Sequence, residues 1–141
     1  MKTNFKFAIV IAACGVLLLG ACQNGGQAVE LQEVASQTAG DIRIVLLSES
    51  GDLVRGGNRF TLAFRSAADD QPLEAGDVTV SSSMAMPGMA PMVAPIELGG
   101  TGEVGRYAVT GDFEMSGEWR FDVRWDGPAG QGNTSFRVNV R

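Results

Sequence analysis

Apolar and polar residues alternate with a period of two in short runs along most of the chain. The clearest run extends from Trp119 to Trp125, where four apolar side chains share one face and three charged side chains occupy the other. This period is typical of a β-strand that is buried on one face. After residue 40, no segment has the length and period of an amphipathic helix. The predicted strands cover residues 41–47, 59–65, 78–81, 93–98, 105–113, 119–125 and 136–140.

These seven or so strands are separated by turns rich in glycine, proline and aspartate, such as Asp69-Asp70-Gln71-Pro72 and Asp126-Gly127-Pro128. Short strands at this spacing over about 100 residues are typical of an antiparallel β-sandwich. The pattern therefore predicts an all-β, immunoglobulin-like sandwich. An up-and-down barrel is the alternative architecture.

The N-terminal segment has a different pattern. Lys2 and Lys6 precede an uncharged apolar run over residues 7–19, and the small residues Gly20 and Ala21 follow it. This is the layout of a secretory signal peptide. The apolar run is shorter than the ~20 residues that span a bilayer as a helix. We therefore predict a cleaved signal over residues 1–21, with a short uncleaved anchor as the alternative.

The end of this segment, Leu19-Gly20-Ala21-Cys22, matches the bacterial lipobox. We expect cleavage before Cys22 and attachment of acyl chains such as palmitate to that cysteine, which would hold the protein on a membrane of the cell envelope. Gln23 is not the aspartate that retains lipoproteins at the inner membrane, so the outer membrane, facing the periplasm, is favoured in a cell with two membranes.

The polar segment that follows has two early glycines and no sustained apolar period. We interpret residues 22–40 as a lipidated flexible tether. This gives three parts: a signal peptide at 1–21, the tether at 22–40 and the β-sandwich domain at 41–141.

Composition excludes several classes of function. After residue 21 the chain has no histidine and no lysine, and Cys22 is its only cysteine. Nine arginines against 16 acidic residues give that part a net charge of −7. An acidic domain without basic clusters argues against nucleic-acid binding. Without a histidine, a free thiol or a Ser-Lys pair, we expect no enzyme activity and assign no catalytic residue.

The one feature that suggests chemistry is a cluster of methionines. Met84, Met86, Met89 and Met92 lie within nine residues, and the intervening prolines and glycine exclude a helix there. Thioethers are soft, neutral ligands that favour Cu(I). The sequence therefore predicts that these four residues bind copper as Cu(I). Methionine also fills gaps in cores and forms adaptable contact surfaces, so the alternatives are packing and a protein-interaction module with no metal.

Further short elements accompany the methionine loop in a fixed order. They are Gly56-Gly57-Asn58, Val78-Thr79-Val80, Gly105-Arg106-Tyr107 and the Met-x-Gly-x-Trp element from Met115 to Trp119. Together with the loop they resemble the YtkA-like domain, which is related to FixH-like proteins, over residues 42–140. The resemblance implies an extracytoplasmic sandwich, found in small lipoproteins and in assemblies for metal efflux or cytochrome oxidase assembly, where copper is delivered.

This sequence departs from that pattern at one point. Many members of the family carry a histidine shortly after the methionine loop, and Ala90-Pro91 stands there instead. Its absence argues against Cu(II) and leaves a site for Cu(I) made of thioethers alone. Met115 could add a fifth sulfur if it lies at the same end of the sandwich. We expect it instead to be a core methionine beside Trp119.

Overall fold

The computed structural model describes residues 29–141, and this part of the chain is built from strands. It contains no helix that is long and apolar enough to cross a membrane. The predicted signal peptide and Cys22 lie outside the described residues. The strands are β1 (Gln32–Ala39), β2 (Ile42–Ser48), β3 (Gly56–Ser66), β4 (Asp77–Met84), β5 (Met92–Ala94), β6 (Ile96–Gly100), β7 (Arg106–Phe113), β8 (Gly117–Gly127) and β9 (Gly130–Val140).

The strands form two sheets. One has five strands in the order β1-β2-β3-β7-β6, and the other has four in the order β5-β4-β8-β9. All neighbouring strands are antiparallel. The predicted all-β sandwich is therefore confirmed, and the sheets do not close into a single barrel.

The core lies between the inward faces of the two sheets. On β8 the residues at 119, 121, 123 and 125 are buried, as the alternation predicts. Two of them meet aromatic residues of β3: Phe121 contacts Phe60 with ring centroids 5.9 Å apart, and Trp125 contacts Phe64 at 6.0 Å. Both contacts are edge-to-face, a preferred geometry that adds to the stabilisation by burial. This packing fixes how β3 and β8 face each other across the core.

The predicted tether is wrong for residues 32–39, because they form β1 and pair with β2. The predicted domain boundary falls inside the β1–β2 hairpin, whose turn contains Gly40 with φ of 60°. Val34, Ala35 and Ala39 pack against the core. The strand is at the edge of its sheet and its register shifts between Glu33 and Ala35. A bulge of this kind interrupts the alternation by which a strand is recognised.

The strand predicted over residues 93–98 is two strands, interrupted at Pro95. β5 pairs with β4 in the four-stranded sheet, whereas β6 pairs with β7 in the five-stranded sheet. The chain therefore changes sheet at Pro95, which has no N–H to donate to a strand ladder. With β1, this division accounts for nine strands where about seven are predicted.

Candidate metal site

The methionine segment is the hairpin that connects β4 to β5. Met84 is the last residue of β4, Met92 is the first of β5, and the two are directly opposed across the strand pair. Side chains at opposed positions of an antiparallel pair project from the same face, with Cβ atoms about 4.5–5.5 Å apart. The hairpin therefore places the first and last methionines of the cluster side by side.

A tight turn joins the other two methionines. The Met89 N–H donates to the Met86 carbonyl oxygen at 3.1 Å, and Gly88 has φ of 76°. Proline followed by a residue with positive φ is the signature of a type II turn. Pro87 and Gly88 thus supply the two central positions of the turn.

The four methionines differ in burial. Met84 is 7% exposed and belongs to the core. Met86 and Met92 are half-buried and pack against the same core. Met89 is 66% exposed at the tip of the turn. The structure therefore directs Met84, Met86 and Met92 toward the core and leaves Met89 exposed to solvent.

Met115 lies at this end of the sandwich, in the turn between β7 and β8. It was expected as a core methionine beside Trp119, and this expectation is wrong because its side chain is 41% exposed. Trp119 is buried instead, and its indole N–H donates to the Met115 carbonyl oxygen at 3.0 Å. The sequence does carry one signal of the turn, since Ser116-Gly117 interrupts the alternation between Phe113 and Trp119.

Met92 and Met115 line one opening at the surface, with a volume of about 630 Å³. We call this end of the sandwich, with the five residues Met84, Met86, Met89, Met92 and Met115, the methionine end. The remaining lining residues of the opening are Arg55, Gly56, Asp112, Phe113 and Glu114. Two segments that are far apart in sequence thus present thioethers to the same space.

A glycine lets Met84 approach the β7–β8 turn. A Cβ added at Gly117 would lie 2.7 Å from the Met84 terminal methyl carbon and 3.9 Å from its sulfur. Real Cβ atoms essentially never approach a neighbour that closely, so the Met84 side chain occupies space that any other residue at 117 would take. The buried side chain of β4 therefore extends to the base of the turn that carries Met115.

The sequence matches a known protein family over most of the described residues. The model of the family described as YtkA-like matches residues 36–124. The chain belongs to the YtkA-like family. The resemblance seen in the sequence is therefore confirmed, and the match includes β2 to β7, the methionine hairpin and Met115. No curated protein matches the sequence.

Two solved structures are similar to this YtkA-like protein in fold. One is a DUF4426 family protein from Pseudomonas aeruginosa PAO1, with a TM-score of 0.49 and 14% identity over 75% of this chain and 96% of that one. The other is a copper-bound variant of FetP from uropathogenic Escherichia coli strain F11, with a TM-score of 0.44 and 5% identity over 78% and 97%. At identities this low, neither likeness bears on ligands.

The donor atoms at the methionine end of this YtkA-like domain suit a soft cation. Among residues 29–141, no three histidine, cysteine, aspartate or glutamate side chains are grouped so that they could hold a metal ion. The methionine end offers thioether sulfurs instead, which favour Cu(I) over Zn(II) or Ca(II). The site therefore fits Cu(I) by donor type.

Proposed function

We propose that this YtkA-like protein binds or passes Cu(I) through Met84, Met86, Met89 and Met92. The observation that carries the proposal is the hairpin, which sets Met84 opposite Met92 and joins Met86 to Met89 by a hydrogen-bonded turn. Four thioethers thereby gather at one end of a domain that offers no imidazole or thiolate among its described residues.

The gradient of exposure across the cluster suits transfer. Met89 is in solvent, Met86 and Met92 are half-buried, and Met84 is in the core. An incoming ion would meet Met89 first and the partly buried sulfurs next. Because a thioether has no proton to lose, binding would persist at acidic pH, unlike binding to histidine or cysteine.

The proposal includes a place in the cell and excludes catalysis. The lipobox at Cys22 supports a lipid-anchored protein that faces the periplasm, where an envelope complex for metal efflux or oxidase assembly would be the partner. The cation would be cargo and not a catalytic cofactor, in keeping with a sequence that has no histidine and, after residue 21, no lysine.

The test is titration of the full chain with Cu(I) against a competing chelator. The comparison variant carries leucine at 84, 86, 89 and 92, which preserves bulk and apolarity and removes sulfur. We expect the variant to lose at least about tenfold in affinity, since this corresponds to only ~1.4 kcal/mol of lost coordination. An unchanged affinity would refute the proposal.

An interaction module is the second candidate function. Its support is that Met89 and Val93 are 66% and 68% exposed on the same short hairpin. Exposed apolar side chains on one hairpin suit a contact with another protein. The leucine variant separates the two functions, because it keeps an apolar surface for a partner while abolishing coordination of copper.

A further inference from the structure

We infer that Met115 is a ligand of the same cation, so that the site lies between the β4–β5 hairpin and the β7–β8 turn and is formed by Met84, Met92 and Met115. This inference rests on the proposed function and refines it. It moves the site from a single loop to the space between two segments, and it assigns Met89 to first contact with the ion.

The shared opening is the first support. Met92 and Met115 are 23 positions apart in sequence, yet they line the same space of about 630 Å³. The order β5-β4-β8 within the four-stranded sheet explains this, because it sets the start of β8 and its preceding turn near the end of β4. Met84 approaches from the buried side, since its terminal methyl carbon lies 2.7 Å from the position that a Cβ of Gly117 would take.

The turn that carries Met115 is anchored in the core. The Trp119 indole N–H donates to the Met115 carbonyl oxygen at 3.0 Å, and Trp119 itself is fully buried. Such a bond fixes the backbone at 115 without covering the side chain. A ligand attached to a rigid turn keeps its position before the metal arrives, which lowers the entropic cost of binding.

The exposure of Met115 also favours a ligand over a packing residue. At 41% exposed, its side chain adds less apolar burial than a core residue would, while the neighbouring Trp119 and Phe113 are buried completely. The sulfur-bearing side chain is thus accessible to an ion that enters the opening.

Charge around the opening suits a cation. Asp112 and Glu114 line it together with one arginine, Arg55. Two carboxylates against one guanidinium leave a local excess of negative charge, which raises the concentration of cations at the entrance. The carboxylates are hard donors and the sulfurs are soft donors, so the former would attract the ion and the latter would hold Cu(I).

The first experiment compares Met115→Leu with Met89→Leu in the full chain, by Cu(I) titration against a competing chelator. Both positions are exposed, so neither substitution should affect folding. We expect the Cu(I) affinity of Met115→Leu to fall at least about tenfold and that of Met89→Leu to fall less than about threefold. A tenfold change corresponds to ~1.4 kcal/mol of binding free energy. Unchanged affinity in Met115→Leu would overturn the inference.

The second experiment uses Met115→His, which replaces the thioether by an imidazole, a copper ligand that must be deprotonated to bind. We expect this variant to bind Cu(I) at pH 7.5 and to lose affinity as the pH falls below about 6.5, the usual pKa of histidine. The unmodified protein should show no such loss. A Met115→His variant without the new pH dependence would show that residue 115 does not touch the metal.

The two proposals fail differently. If the variant with leucine at 84, 86, 89 and 92 loses copper while Met115→Leu keeps it, the inference about Met115 is wrong and the proposed function stands. If both variants keep copper at full affinity, both proposals are wrong.

Discussion

At one end of the sandwich the backbones of neighbouring segments are in direct contact, whereas at the other end two methionines help to line an opening. We call the first the glycine end, defined by Gly76, Gly105 and Gly127. A Cβ added at Gly105 would lie 2.5 Å from the Leu73 carbonyl oxygen, and one at Gly76 would lie 2.5 Å from that of Asp126. At the methionine end, a Cβ added at Gly88 would meet nothing within 4 Å.

The hydrogen bonds also differ between the glycine end and the methionine end. At the glycine end the Tyr107 hydroxyl donates to the Gly76 carbonyl oxygen at 2.9 Å, and the Leu73 N–H donates to the Phe64 carbonyl oxygen at 2.9 Å. At the methionine end one backbone bond closes the Met86–Met89 turn, and the Trp119 indole N–H donates to the Met115 carbonyl oxygen in the β7–β8 turn. Sites that bind or release ligands usually occur where local stability is low. The glycine end is therefore held by close backbone contacts, whereas at the methionine end an adaptable β4–β5 hairpin lies beside the anchored β7–β8 turn.

The largest effect should come from placing a Cβ at the glycine end. Gly105 and Gly88 have nearly equal positive φ, 70° and 76°, so alanine is strained at both. Only at 105 does the new carbon also overlap backbone oxygens. We expect Gly105→Ala to reduce the free energy of unfolding by at least about 3 kcal/mol, and Gly88→Ala by about 1 kcal/mol.

Urea unfolding of the full chain measures both variants. Equal losses of stability would show that strain at positive φ accounts for the whole effect, and the contrast between the two ends would then be unfounded.

Trp119→Phe should reduce stability less than Gly105→Ala does, and it should also weaken the binding of Cu(I). The substitution removes the bond to the Met115 carbonyl oxygen and leaves a cavity in the core. We expect a loss of about 2 kcal/mol in the free energy of unfolding, together with weaker Cu(I) binding because the β7–β8 turn loses its anchor.

The matched control is Trp125→Phe. Trp125 is also buried, but it lies toward the glycine end and its indole nitrogen has no hydrogen-bond partner among the described residues. This variant should keep the Cu(I) affinity unchanged. If both variants weaken binding equally, the effect reports general destabilisation and not the position of Met115.

The smallest effect concerns Tyr107→Phe. Loss of its hydrogen bond to Gly76 should reduce the free energy of unfolding by about 1 kcal/mol at pH 7. Burial raises the pKa of the Tyr107 phenol above its usual 10.0, and the charge of Glu74 adds to this. Because the folded pKa is the higher one, the contribution of the neutral phenol is complete below pH 10 and is lost as the pH rises through the folded pKa.

The difference in the free energy of unfolding between the unmodified protein and Tyr107→Phe should therefore become smaller above pH 10. Tyr107 is the only tyrosine in the chain, so the absorbance of its phenolate reports the titration directly. A difference that stays constant at alkaline pH would mean that the Tyr107 phenol is not perturbed by the fold.

Strands with one buried and one solvated face could be predicted from sequence, as the run from Trp119 to Trp125 illustrates. β1 could not, because none of its eight residues is fully buried, its exposed and half-buried positions do not alternate, and its register shifts between Glu33 and Ala35. The alternation of apolar and polar residues also does not indicate which strands pair with each other. The apolar residues around Pro95 indicate strands, but they do not indicate that β5 and β6 belong to different sheets.

The candidate site was predictable in part for the same reason. The four methionines of the β4–β5 hairpin are close in sequence, and Pro87-Gly88 between them specifies a turn. Sequence alone is therefore enough to place them on one hairpin. The position of Met115 depends on which strands are neighbours in the four-stranded sheet, and that is a property of the whole fold. A residue whose neighbours are set by topology cannot be assigned from spacing.

X-ray absorption at the copper edge of the Cu(I)-loaded full chain tests the central claim most directly, because it identifies the atoms bound to the metal. We predict a first shell of sulfur atoms, about three in number as trigonal Cu(I) coordination by thioethers requires, and a shell depleted of sulfur when the methionines are replaced by leucine. A first shell of oxygen or nitrogen atoms in the unmodified protein would contradict the account.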